Sequence, residues 1–199
     1  MSEVVQSVSG LSMMNFRDAV SRQFGPSLAA RGLERLDPTK RQQLETMTAV
    51  DWIPVETLAS AVDAWADEAN VSPEELTIRG VRESTRQSFA TVWSVLLRLT
   101  TDEALVTRTN LIYARSRNVG KLTSELRGPR SARLVRTEWR NPTDRQHLSL
   151  AVAFETVMEL TGRYHARCTF KRTSDGGIFQ LQWGDPSVPP RPFPPRVAK

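Results

Sequence analysis

The sequence predicts an α+β fold: an N-terminal helical part packed on a small antiparallel sheet, with a C-terminal part that reads strand–helix–hairpin. Three observations lead there. Apolar residues recur at helical spacing, punctuated by capping signals, as far as residue 120. After that the period shortens, and Arg133 to Arg140 mixes β-branched, aromatic and charged residues as a strand with one wetter face does. Finally, Ser174-Asp175-Gly176-Gly177 separates two alternating runs, the pattern of a hairpin.

Residues 1–11 are small and polar and read as a loose start. Phe16, Val20 and Phe24 mark a helix that Gly25-Pro26 breaks, with a short helix resuming through Leu28. Asp37-Pro38 reads as an N-cap followed by proline at the first helical position, opening a helix to about residue 47. Asp51-Trp52-Ile53-Pro54 opens the next, whose apolar face runs from Val55 to Ala69. Ser72-Pro73-Glu74-Glu75 is a capping box. The helix behind it presents Ile78, Val81, Phe89 and Trp93 inward, and its Gly80 predicts close approach of a neighbouring backbone. Thr101-Asp102 caps a helix that stops at Gly120. Asn141-Pro142-Thr143-Asp144 caps the helix from Leu148 to Leu160, which is apolar on most sides and so is expected between layers or against a second copy of the chain. Tyr164, Ala166, Cys168 and Phe170 form one face of the first hairpin strand; Phe179, Leu181 and Trp183 form one face of the second. Residues 12–184 are thus expected as one α+β domain, and the tail 185–199, with six of the twelve prolines, as extended and unpacked.

Composition excludes several classes. A single cysteine leaves no disulfide framework, and with two histidines it leaves no zinc cluster within one chain. No apolar run reaches the roughly 18 residues of a membrane span. The start MSEVVQSVSG lacks the basic and apolar segments of a signal peptide, so a cytoplasmic location is expected. Net charge is +5 but unevenly placed: residues 1–99 hold 10 basic against 13 acidic side chains, residues 100–199 hold 17 against 9, and 23 of the 27 basic residues are arginine.

For catalysis, His147 and His165 fall on different elements with no acid-plus-nucleophile pattern. Cys168 and His165 have opposite parity on one strand and point to opposite faces. No phosphate-binding glycine loop is present, and no catalytic, cofactor or metal residues are assigned. The binding candidates are a basic stretch, Arg115, Arg117, Arg127, Arg130, Arg136 and Arg140, and the tail segment Pro190-Arg191-Pro192, which has the composition of a polyproline ligand. Arg133 and Arg140 differ in parity, so these arginines do not all share one face. Trp93, Phe154, Val157 and Trp183 are the candidates for an apolar pocket or interface.

Asp51-Trp52-Ile53-Pro54 before a helix, Glu159-Leu160-Thr161-Gly162 at a helix end, and the closing run Phe179 to Gly184 resemble a myxobacterial protein family, itself similar to the group of heme–nitric-oxide-binding, vinyl-reductase-type and TRAPP-subunit domains. The resemblance implies a helical subdomain on an antiparallel sheet, a buried apolar pocket, frequent dimers, and a role in sensing or assembly. In the heme-binding branch a tyrosine, a serine and an arginine at alternate positions hold the heme propionates. Here Tyr113-Ala114-Arg115-Ser116-Arg117 puts arginine where that serine stands, and residues 1–146 contain no histidine to serve as axial ligand, so no cofactor is expected.

The expectation is therefore a non-catalytic signalling or scaffold module that binds a protein partner. A second copy of the chain and a small apolar ligand are further candidate partners. The alternative is a nucleic-acid-binding regulator that uses the arginine-rich half.

Overall fold

The computed structural model describes residues 4–89 and 101–184. They fall into two compact units, one of residues 4–84 with 116–118, the other of residues 85–115 with 119–184. Helices and antiparallel sheets are both present, so the fold is α+β.

The first unit is mainly helical. A two-stranded antiparallel ribbon, β1 (Ser7–Ser9) with β2 (Trp52–Pro54), pairs Val8 with Ile53. The chain start is thus ordered earlier than its composition predicts: Val8 and Ile53 are buried. Residues 116–118 run beside β1, where Asn118 Oδ1 accepts from the Ser7 N–H (2.7 Å) and Asn118 Nδ2 donates to Val5 O (2.7 Å).

Local chemistry sets the helix boundaries. Ser9 caps α1 (Gly10–Phe24), which stops at Gly25, whose φ of 95° suits glycine. Pro26 then starts α2 (Pro26–Glu34). Asp37 Oδ1 accepts from the Lys40 N–H at 3.0 Å and opens α3 (Pro38–Thr46). Helix α4 (Val55–Ala69) ends at Asn70, in the left-handed region. Ser72 Oγ accepts from the Glu75 N–H at 3.0 Å at the head of α5 (Pro73–Phe89). Trp65, fully buried on α4, is the centre of this core: it stacks on Phe16 (6.1 Å between centroids) and donates from Nε1 to Ala29 O at 2.9 Å. The neighbour that approaches Gly80 is the Phe16 ring rather than a backbone: a Cβ there would lie 2.5 Å from Phe16 Cε2.

The second unit is a helix-backed sheet. Helix α6 (Asp102–Ser116) is capped by Thr101 and is followed by β3 (Lys121–Gly128), β4 (Ser131–Thr137), α7 (Asp144–Leu160), β5 (Arg167–Thr173) and β6 (Gly176–Gln182). The strands are antiparallel in the order β3-β4-β6-β5. Thr143 and Gln146 close a full capping box on α7. One sheet face carries Leu122, Ala132, Leu134, Cys168, Phe179 and Leu181, and it packs with α7 residues Phe154, Val157 and Met158 in a single core.

Three sequence expectations shift here. Residues 121–128 pair as a strand although no element is read there from the sequence, because only Leu122 is buried and no alternation shows. The strand expected over 133–140 covers 131–137 and ends where Glu138 turns to a φ of 58°. Tyr164 is 65% exposed instead of facing the core, since β5 begins only after His165, itself at a φ of 56°. The expected apolar continuation of α5 around Trp93 and the proline-rich tail lie outside the described residues.

Candidate functional site

The most organised polar group in the second unit surrounds His147, which is fully buried in the first turn of α7. Its Nδ1 lies 2.9 Å from Thr143 O and its Nε2 lies 3.0 Å from Gly176 O. Arg136, on the inward face of β4, brings Nη2 to 3.3 Å from the same Nε2. The ring stacks on Phe170 (5.3 Å) and Phe179 (5.5 Å). The Arg136 guanidinium lies over the ring of Trp139 at 5.1 Å, and Trp139 is itself anchored through Nε1 to Gln146 Oε1 at 3.2 Å. Both imidazole nitrogens are thus committed to protein groups.

Burial holds the His147 pKa below its ordinary value near 6.5; the charges of Arg136 and Arg172 act the same way, and the carbonyls of Thr143 and Gly176 oppose them. The sign for stability follows. An unfolded chain takes up the proton as pH falls through about 6.5, before the folded ring does, so the stability this residue contributes is complete above that pH and is lost on acidification. Urea midpoints measured between neutral and mildly acidic pH should fall with acid for the native chain. The His147→Gln variant, which keeps a donor and an acceptor, should show a shallower fall; equal slopes would remove the assignment to His147.

A second buried ionisable group sits at the far side of the sheet. Glu155 of α7 is fully buried and accepts the N–H of Cys168 at 2.9 Å. Strand β5 is a sheet edge, so this carboxylate occupies a backbone donor that would otherwise be open to another strand. Near the end of α7, Arg86, Thr156, Glu159, Leu160, Tyr164 and His165 line an open cleft of about 460 Å³. Among the described residues no group of three or more His, Cys, Asp or Glu is placed to hold a metal ion.

The sequence-derived candidates scatter. Arg115, Arg127, Arg130 and Arg140 are exposed and Arg117 is half-buried, its Nη1 donating to Ser116 O at 2.8 Å. Arg130 donates to Gly184 O at 3.1 Å, and Arg127 pairs with Glu125 at 2.6 Å. Arg136 is a correction: only 2% exposed, it lies against His147 and Trp139 and offers no charge at the surface. Phe154, Val157 and Trp183 lie in the second unit's core, and none of them lines the cleft. Trp93, Pro190, Arg191 and Pro192 lie outside the described residues. Strand parity collects a different set of cations on the outer sheet face: Lys121, Arg127, Arg133, Arg167 and Lys171, against one carboxylate, Glu125. Lys121, Arg127 and Arg133 belong to the basic stretch of the sequence, but their convergence with Arg167 and Lys171 was not legible, because β3 went unread and the register was unknown.

No protein-family model and no curated protein matches the sequence. Solved structures do. The H-NOX protein of K. algicida in its unliganded Fe(II) form superposes with a TM-score of 0.66 at 13% identity, covering 89% of this chain and 97% of that one. The H-NOX protein from S. oneidensis in the Fe(II)NO ligation state gives 0.67 at 12% identity, covering 89% and 99%. The chain has the H-NOX fold.

The residues present do not fit a histidine-ligated heme on that H-NOX scaffold. Of the two histidines, His147 has both nitrogens engaged inside the core, and His165 is exposed on the loop before β5. Tyr113 of the Tyr-Ala-Arg-Ser-Arg segment is buried in the core cluster.

Proposed function

We propose that this H-NOX-fold chain is a non-catalytic signalling module that acts by binding a protein partner and not through a histidine-ligated heme. The observation that carries the heme half is the engagement of both His147 nitrogens by Thr143, Gly176 and Arg136. The partner half is supported by the outer sheet face, along which strand register sets Lys121, Arg127, Arg133, Arg167 and Lys171, with Glu125 on β3 and Glu138 beside Lys121 as the carboxylates among them. Guanidinium groups held on strands suit carboxylates of an acidic protein surface. Such a surface gives specificity and association rate more than raw affinity.

The test has two arms on the full chain. Titrated with hemin, it should develop no stoichiometric Soret band that survives gel filtration, and appearance of one overturns the heme-independent reading. In affinity capture from cells of the source, a protein partner should be retained by the native chain and lost with Arg133→Glu. A captured species that disappears on nuclease treatment would move the function to nucleic acid.

A further inference from the structure

Strand β3 ends the sheet: β4 pairs with one side, and among the described residues no strand pairs with the other. Of its eight residues only Leu122 is buried. On the opposite edge, β5, the buried Glu155 carboxylate takes one main-chain donor, the Cys168 N–H, whereas β3 presents a row of main-chain donors and acceptors, a template for another strand. Leu126 on β3 is 38% exposed. Helix α6 is tied to β3 by Ser124 Oγ, which donates to Val106 O at 2.8 Å and lies 3.0 Å from Asn110 Oδ1.

We propose that β3 pairs antiparallel with β3 of a second copy of this chain, about a two-fold axis at Thr123. In that register Lys121 of each copy stands opposite Glu125 of the other, Thr123 opposite Thr123, and Leu122 opposite Ser124. Lys121, Thr123 and Glu125 share the outer face by alternation. Glu125 already faces Arg133 across β4 at 3.3 Å, so charges alternate over the seam: Arg133, Glu125, then Lys121 of the second copy. Opposite charges directly across strands attract.

Neighbouring registers are worse. Moving the axis to Ser124 sets Lys121 against Arg127, and moving it to Leu122 sets Glu125 against Val119. A half-step places the core-facing residues of one copy opposite the outward residues of the other and breaks the continuous inner face. The shift in pairing between Leu126 and Gly128 ends the regular stretch, and with the axis at Thr123 the strand residues that pair are 121–125. The ion pairs that Lys121 now makes with Glu138 and Glu125 with Arg127 are exposed and exchange at little cost. Lys121 and Glu125 also belong to the outer face proposed above for a protein partner, so the test reads self-association of the chain alone, which fails or holds separately from capture of that partner.

Sedimentation of the full chain over a concentration series should show a dimer. Lys121→Glu and Glu125→Lys should each weaken self-association at least about tenfold, since both Lys121–Glu125 contacts of the seam become repulsive, and the double variant should restore it. Under mild oxidation Thr123→Cys should form a covalent dimer, because residues on the axis meet within disulfide reach, and Glu125→Cys should not. Cys168 is buried and does not interfere. If circular dichroism shows that the charge variants misfold, the cysteine pair decides. A chain that stays monomeric at every concentration, a dimer weakened by neither single variant, or cross-linking at 125 in place of 123 overturns the proposal.

Discussion

Replacing Trp65 with alanine is expected to lower the stability of the first unit by about 3–5 kcal/mol, the range for truncating a large buried aromatic. The indole is fully buried, and its environment has few ways to close over the gap. On one side lies Phe16, stacked at 6.1 Å with the planes 30° apart. On the other lies α2, whose Gly32 is so close that a Cβ there would collide with the indole Cδ1. Backbone supports that close contact, and backbone does not rotate into a cavity. The substitution also removes the indole N–H that Ala29 O accepts at 2.9 Å. Because a domain's whole margin is about 5–15 kcal/mol, chemical denaturation followed by circular dichroism should show an early loss of helix in Trp65→Ala. Trp65→Phe should fall between the two, keeping the stack while losing the hydrogen bond. A midpoint for the alanine variant within error of the native one would refute the packing described for α2 and α4.

Gly177→Ala is the second large effect, and its cause is purely steric. Gly177 needs no special backbone angle, unlike Gly176 with its φ of 155°. A Cβ at position 177 would, however, run into His147 Nε2, an atom fixed by Gly176 O and Arg136. Retreat of the imidazole would break those contacts and its stacking on Phe170 and Phe179, at a cost of roughly 3 kcal/mol from overpacking and lost hydrogen bonds together. A double-mutant cycle isolates the cause: with His147→Ala present, the added methyl has room, so the two changes should be non-additive by at least about 1 kcal/mol. Simple additivity would mean that the glycine is required for some other reason.

Arg136 and Gly177 illustrate why parts of this molecule were unreadable in advance. Parity placed Arg133 and Arg140 on opposite faces of one strand, and Arg136 shares the parity of Arg140, but nothing in the pattern said which face was wet. An arginine on the core face contradicts the usual pattern, and the ring of Trp139 and the nearby Nε2 of His147 are among the groups that make it tolerable. Gly177 belonged to a string that reads as a turn, Ser174-Asp175-Gly176-Gly177; the turn itself needs just Ser174 and Asp175, and both glycines begin β6. The apolar helix α7 was read as buried between layers or against a second copy. Its Phe154 and Val157 pack in the core cluster with the sheet of the same chain.

What the residues by themselves determined is whatever depends on neighbours in sequence. The caps at Asp37, Ser72, Thr101 and Thr143 bind main-chain N–H groups three residues on, so the helix starts were legible. The alternation of Phe179, Leu181 and Trp183 revealed the core face of β6 in the same way. Tertiary structure alone decided the rest. Strand β3 exists because β4 pairs with it, since a mostly polar, exposed edge leaves no periodic trace. The outer cationic face exists because register aligns residues from three strands, and register is a property of pairing that no single strand encodes.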